Sequence, residues 1–234
     1  MDSATTVLKL ADGIYALGQM ERVRSFLLVG RTRALLVDSC FGDDLPDVCR
    51  SLTDKPITLV STHADPDHIG GADAFEDHWM HPDELAHYRA VRPDAPAPTP
   101  APEGTVFDAA PFRLEVIHLP GHTPGSIALL DREHRFLISG DMVATVPVYL
   151  FGPWRNVAQY AQSLRKLRSS SGAFDTIYPS HGSIPLAPSR IDETLHALEL
   201  VLAGQGSEAP AEARFPTGVK TYSANGCSFF MDRT

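Results

Sequence analysis

Apolar positions in this chain fall in short runs broken by turn residues. The first are Val7–Leu10, Ile14–Leu17, Phe26–Val29 and Ala34–Val37, separated by Asp12-Gly13, Gly18 and the turn at Gly30–Arg33. This pattern predicts an N-terminal series of strands and hairpins. A helix is predicted over Asp43–Leu52, with Asp43 and Asp44 near its positive end. The run Ile57–Val60, bounded by Pro56, reads as a buried strand ending in a loop. Residues Asp83–Ala90 read as helical. The segment Arg92–Gly104, with prolines at 93, 96, 98, 100 and 102, cannot supply a ladder of N–H donors and is predicted to run over the surface.

Strand-like runs resume at Phe112–Leu119, Ser126–Leu130 and Arg135–Ile138. Helices are predicted at Asn156–Ser169 and Pro188–Ala203, with a strand at Thr176–Tyr178 between them and a last pair at Val219–Tyr222 and Ser228–Met231. The second half thus repeats the strands-then-helix order of the first. Two such halves predict an α+β domain, residues 1–234, with two sheets face to face and helices outside.

Composition narrows the classes. Seventeen glycines and 19 prolines in 234 residues, about 15% together, fall below the roughly 25–30% of low-complexity chains. The net charge of -9 argues against a broad nucleic-acid surface, which needs clustered Lys and Arg. Cys40, Cys49 and Cys227 show no paired spacing and read as small buried hydrophobes. The first ten residues lack a signal-peptide layout, and no apolar run reaches membrane-spanning length, so a cytoplasmic protein acting on a small molecule is expected. The oligomeric state is left open.

The chemistry lies in four segments, each following an apolar run: Thr62-His63-Ala64-Asp65-Pro66-Asp67-His68-Ile69-Gly70-Gly71, Pro120-Gly121-His122-Thr123-Pro124-Gly125-Ser126, Ser139-Gly140-Asp141 and Pro179-Ser180-His181-Gly182. Aligned strand ends would bring these loops to one edge. Imidazole and carboxylate hold zinc, iron and manganese. A lone histidine is ordinarily a satisfied surface or core residue. Four donors between His63 and His68 differ, because without a cation their crowding costs desolvation and mutual repulsion.

These motifs resemble the metallo-β-lactamase-fold superfamily, whose signature is a His-x-His-x-Asp-His loop followed by a His, a bridging Asp and a final His. The resemblance covers roughly residues 7–231 and implies a four-layer αββα sandwich with two divalent metal ions, Zn²⁺ first. Carried over by position, it places His63, the residue at 65 and His122 around one metal and Asp67, His68 and His181 around the other, with Asp141 bridging. It implies a hydrolase that attacks an ester, thioester, lactone or phosphoester bond with a metal-bridging hydroxide, Asp67 orienting the water and passing a proton. Asp141 aligns the chain with glyoxalase II, lactonase and phosphodiesterase-like branches, since the true β-lactamases carry Cys or Ser near that place.

One position departs from the signature. Asp65 replaces the second histidine, and a carboxylate is the harder donor, which favours Fe or Mn. Three readings follow: Asp65 ligates within an ordinary metal pair, the first site is weak, or the site holds iron, as in the flavodiiron branch with its carboxylate there. The rival functions are an iron-dependent oxidoreductase of the persulfide-dioxygenase or flavodiiron kind and a non-catalytic binding module. Thr62, Thr123, Ser139 and Ser180 are candidate supports for the ligands, and Tyr149, Phe151 and Trp154 a candidate apolar substrate wall. His78, His81, His87, His118, His134 and His196 read as surface or packing residues, with His118 nearest a motif; Arg165, Lys166 and Arg168 read as a solvated helix face. From the sequence, Asp65→His is expected to keep or raise zinc-dependent activity, while Asp141→Ala and His181→Ala each abolish it, as read from kcat/KM of the three variants.

Overall fold

Strand by strand, side chains of one parity point to one apolar layer and those of the other parity to a second. The computed structural model describes residues 4–20, 22–41 and 44–232; Asp43, at the start of the predicted helix, lies outside them. Seven strands form the first sheet in chain order: β1 Thr6–Ala11, β2 Ile14–Gln19, β3 Val23–Val29, β4 Ala34–Val37, β5 Ile57–Val60, β6 His78–Met80 and β7 Thr99–Pro100. The first four are antiparallel neighbours, and β4 to β7 run parallel. The strands that follow are β8 Val106–Ala109, β9 Phe112–His118, β10 Ile127–Asp131, β11 Phe136–Gly140, β12 Val148–Leu150, β13 Thr176–Pro179, β14 Ser207–Pro210, β15 Val219–Ala224 and β16 Cys227–Asp232. They make a five-stranded sheet, β13-β11-β10-β9-β8, and a four-stranded one, β12-β16-β15-β14.

Alternation explains the layering. Phe26, Leu28, Leu35 and Val37 meet Leu114, Val116, Leu129 and Ile138 between the first two sheets. Their neighbours Leu27, Ala34 and Leu36 face outward onto α1 (Leu45–Leu52) and α3 (Leu85–Val91) through Leu45, Cys49 and Tyr88. On the other side, Ala128, Leu130 and Leu137 pack on Tyr160, Leu164 and Leu167 of α4 (Val157–Ser169) and on Leu195 and Leu198 of α5 (Ser189–Leu202). The order is helix, sheet, sheet, helix, the αββα arrangement. A short α2 (Pro66–Ile69) lies within the histidine-rich loop.

The third sheet was not anticipated, nor were β6, β7, β8, β12 and β14. Part of the proline-rich segment is β7, whose two residues pair with β6 at the edge, where a missing N–H is tolerated. Asn156 caps α4, its Oδ1 accepting from the Gln159 N–H at 3.0 Å. All three cysteines are buried and free, and no helix among the described residues is long and apolar enough to cross a membrane. Arg165, Arg168 and Lys166 lie on the outer surface, paired with Glu199, Asp192 and Glu103.

His78 on β6 is a buried histidine with a pH consequence. Its Nε2 lies 2.9 Å from Ser61 Oγ, and burial, aided by Arg92 and opposed by Asp38, holds its pKa down at about 4. The unfolded chain takes up that proton near 6.5, so this contribution to stability is present above 6.5 and is lost as pH falls toward 4. Between pH 7 and pH 5 it amounts to about 2 kcal/mol. Urea unfolding with EDTA at both pH values is expected to show that His78→Gln loses about 2 kcal/mol less than the parent on acidification.

Candidate metal centre

Strand polarity gathers the site. β4 and β5 are parallel, so Asp38 and His63 follow them at the same edge. β10 runs antiparallel to both β9 and β11, and β13 runs parallel to β11, so the segments bearing His122, Asp141 and His181 emerge together at the C-terminal ends of three like-directed strands. Hydrogen bonds stitch the two sheets there: Ile127 N–H to Thr62 O at 3.0 Å and Arg24 N–H to Ser180 O at 3.0 Å. Buried Arg24 clamps the His181 loop, donating to Pro179 O and, at 2.6 Å, to Gly182 O.

All seven sequence-predicted donors converge. His63 Nε2, His122 Nε2 and Asp65 Oδ2 form a triangle with sides of 3.2, 3.2 and 3.4 Å. Beside it, His68 Nε2 and His181 Nε2 stand 3.3 Å apart, with Asp67 Oδ2 at 3.9 and 3.5 Å from them. Asp141 lies between: Oδ1 is 3.4 Å from His68 Nε2 and 3.3 Å from His181 Nε2, while Oδ2 is 3.6 Å from His122 Nε2.

Each imidazole is held from behind. His68 Nδ1 donates to Asp38 Oδ2 at 2.8 Å, His122 Nδ1 to Tyr149 O at 2.9 Å, and His181 Nδ1 to Arg22 O. Thr62 Oγ1 donates to Asp38 Oδ2 at 2.8 Å, which leaves it to accept from His63 Nδ1 at 3.0 Å. With the proton on Nδ1 throughout, every inward Nε2 presents a lone pair in the neutral ring.

The residues fit divalent cations on two grounds. Four-coordinate zinc with bonds of about 2.0–2.2 Å needs donor–donor edges of roughly 3.3–3.6 Å, and both clusters approximate that spacing. Asp141 Oδ1 is buried without a hydrogen-bond partner, which suits an anionic oxygen directed at a cation. Without a cation the imidazoles and carboxylates balance one another. Burial pushes Asp65 and Asp141 up, but His63 and His122 around the first, and His181 and His68 around the second, hold both well below the usual carboxylate range. Burial pulls His68 and His181 down, yet Asp141 and its neighbouring carboxylates raise both. His122 is lowered, first by burial and then by Arg155.

Several supports escaped the sequence reading. Asp38, at φ 61° and fully buried, also accepts from the Thr62 N–H at 2.7 Å; its signal is a carboxylate directly after the apolar run Ala34–Val37. Glu84, equally buried, accepts from Ala64 N–H at 2.9 Å, His87 Nδ1 at 2.9 Å and Gly125 N–H at 2.6 Å, tying the His63 loop to the His122 loop. A Cβ on Gly125 would stand 2.4 Å from Glu84 N, so that close approach requires glycine. The sequence places His87 among surface or packing residues. It is buried, and its Nε2 faces Asp65 Oδ1 at 3.6 Å. Arg155 Nη2 donates to Asp65 Oδ2, a pairing across 90 residues that no local pattern signals.

Other expectations fare differently. Of the four hydroxyls, Thr62 touches the His63 imidazole, Thr123 bonds Ser126 at 2.7 Å, Ser139 turns to its neighbour's carbonyl, and Ser180 Oγ is buried without a partner. A cavity of about 570 Å³ opens over Asp67, Asp141 and His181 and is lined by Tyr149. Phe151 and Trp154 do not line it. Phe151 packs on Tyr149 and Phe215, and Trp154 stacks on His87 with centroids 4.8 Å apart. His81 and His118 stack at 3.8 Å near Asp83, but His81 Nδ1 accepts from Asp83 N–H and His118 Nε2 donates to Pro124 O.

A four-layer sandwich with paired imidazole–carboxylate clusters at one edge defines a class of metal-centre folds. The Metallo-beta-lactamase superfamily model matches residues 20–205, and the chain belongs to that superfamily. Among curated proteins it is similar to acyl-coenzyme A thioesterase MBLAC2 of Gallus gallus, 32% identical over 200 residues, covering 68% of this chain and 72% of that protein. It also resembles hydroxyacylglutathione hydrolase GloC of Haemophilus influenzae, 27% identical over 103 residues, covering 36% of this chain and 49% of that protein. A solved structure, the metallo-beta-lactamase from Pontibacter korlensis, superposes with a TM-score of 0.73 at 17% identity over 83% of this chain and 99% of its own; that likeness concerns the fold. The named relatives support a hydrolase at the level of the superfamily.

Glu84→Gln supplies one carbonyl oxygen for donors that now meet two carboxylate oxygens, and sets its NH₂ against an N–H. Chemical unfolding of the metal-free protein is expected to show a loss of about 2 kcal/mol; an unchanged midpoint would remove Glu84 as the tie between the two loops.

Proposed function

We propose that this chain is a metal-dependent thioester hydrolase whose substrate joins an acyl group to an anionic thiol carrier. The observation that carries the reading is Asp141: one carboxylate directs its two oxygens at separate donor clusters, and Oδ1 lacks a hydrogen-bond partner at the floor of an open cavity. His63, Asp65 and His122 would hold one divalent ion, Asp67, His68 and His181 the other, and Asp141 both. Ions bound there supply Lewis acidity and acidify water.

The remaining work falls to the chain. Asp67 lines the cavity with a carboxylate 28% exposed, placed to orient a water and accept its proton. A thiol has a pKa near 8.5, so a thiolate departs without the strong acid that an alkoxide needs; Asp67 therefore suffices as the proton carrier. Phe41, Val146, Val148, Tyr149 and Phe230 give an apolar wall for the acyl part, and Arg22 adds positive charge for an anionic carrier, while Arg214 on the same wall is paired with Glu212 at 2.9 Å. Both relatives described above are named for thioester substrates, an acyl-coenzyme A in one and an acylglutathione in the other. Their names favour thioesters over the lactones and phosphoesters the sequence left open.

The expected result is two zinc or manganese ions per chain by elemental analysis, and thiol release from acyl-coenzyme A thioesters in excess of lactone or phosphodiester hydrolysis. Asp141→Ala and His181→Ala are each expected to lower kcat/KM by about a hundredfold to a thousandfold, the scale of losing an electrostatic element of a catalytic site. Full thioesterase activity in Asp141→Ala would sink the reading. A single bound iron with oxygen uptake would replace it by the oxidoreductase alternative.

A further inference from the structure

Two residues far apart in sequence meet at one oxygen. Asp65 stands where the superfamily signature has histidine, and its Oδ2 is the atom that faces both His63 Nε2 and His122 Nε2. The same oxygen accepts from Arg155 Nη2. Neither partner is well screened by water, with side chains 16% and 11% exposed, and Arg155 Nε is buried with no hydrogen-bond partner. The segment carrying Arg155 is fastened on both sides: Trp154 stacks on His87, and the Asn156 N–H donates to Gly121 O at 2.8 Å, next to His122. Gly121 itself admits no side chain, since a Cβ would stand 2.1 Å from Tyr160 N at the start of α4.

Replacing histidine by aspartate adds one negative charge to this cluster. Arg155 brings one positive charge to the same atom. Resting on the metal-centre reading above, we propose that Arg155 is a positioning residue that acts with Asp65 as a single neutral unit in place of the missing histidine. It cancels the charge added at Oδ2, so that this half of the centre keeps the charge of a three-imidazole set and its preference for zinc over harder ions. Arg155 also reverses the expectation drawn from the sequence for Asp65→His. That substitution alone takes from the largely covered Arg155 guanidinium its carboxylate partner at the edge of the donor cluster.

Charge orders the variants. The set formed by residues 63, 122, 65 and 155 is neutral in the parent and in Asp65→His/Arg155→Met, positive by one in Asp65→His, and negative by one in Arg155→Met. Metal-stripped full-length protein is titrated with ZnCl₂ against a chromophoric chelator to resolve two stepwise affinities. One of them is expected to rank Arg155→Met above the parent and the double variant, with Asp65→His lowest. The steps should be at least about tenfold, with the second affinity nearly unmoved and Arg155→Lys grouping with the parent. Arg155→Met should also bind Mn²⁺ relative to Zn²⁺ at least about tenfold better than the parent, a shift toward the harder ion that a merely structural role would not produce.

Circular dichroism of each metal-free variant checks folding. Should Arg155→Met or Asp65→His fail to fold, Arg155→Gln and the near-isosteric Asp65→Asn supply the negative and positive rungs. Zinc affinity in Asp65→His equal to or above the parent overturns the proposal, as does Arg155→Met falling below it. A parent protein that binds no metal overturns instead the reading beneath, and does so before any variant is compared.

Discussion

Four imidazoles and three carboxylates converge on one edge of this sandwich, and the rest of the molecule is arranged around the cost of holding them there. A buried charge without a partner costs several kcal/mol. The structure meets this cost by giving each ring a bond on its far side: His68 to Asp38, His63 to Thr62, His122 to the Tyr149 carbonyl, His181 to the Arg22 carbonyl. Those bonds fix which nitrogen carries the proton, and so decide that Nε2 of every ring points inward as a donor of electrons. The inward geometry is thus a property of strand ends and backbone carbonyls as much as of the motif residues.

That dependence explains why the carboxylates behind the cluster are withdrawn from water as fully as the rings, with Asp38 and His68 both 0% exposed. Asp38 and Glu84 are fully buried, whereas Asp67 and His181 keep some exposure to the cavity. A carboxylate that accepts backbone N–H groups from two loops, as Glu84 does from Ala64 and Gly125, converts loop position into a hydrogen-bond distance. Loops so tied behave as extensions of the sheets, and a donor triangle with sides of 3.2 to 3.4 Å survives at the end of segments with little regular structure of their own.

Much of this was legible in the sequence where the signal is local. The runs at Phe26–Val29, Ala34–Val37 and Ile57–Val60 appear as β3, β4 and β5 within a few residues, because strands buried on both faces leave near-continuous apolar stretches. The strands that escaped notice are short or polar: β6 is three residues beginning with His78, β7 is a Thr-Pro pair, and β14 is exposed throughout. Their pairing is set by neighbours, which a linear pattern does not contain. The same division holds at the site. His63, Asp67, His68, His122, Asp141 and His181 announce themselves by type and spacing, and Asp65 by its departure. Arg155, Glu84 and His87 act across 90, 20 and 22 residues of sequence respectively on that same short segment, so only the fold shows that Asp65 sits between a guanidinium and an imidazole.

The centre and the cavity above it come from different parts of the chain. The donors stand at the ends of β5, β9, β11 and β13, within the residues 20–205 matched by the superfamily model. The wall draws on Val148 and Tyr149 of β12, on Phe230 of β16 and on Arg214, and the last two lie beyond the matched residues. β12 is the link, because its Tyr149 carbonyl holds His122 while its edge pairs in parallel with β16. Side chains on the third sheet can therefore change what the cavity admits without moving a donor atom, provided the β12 backbone stays in place. The donor cluster is held by the sandwich, and one side of the cavity above it by the sheet docked against it.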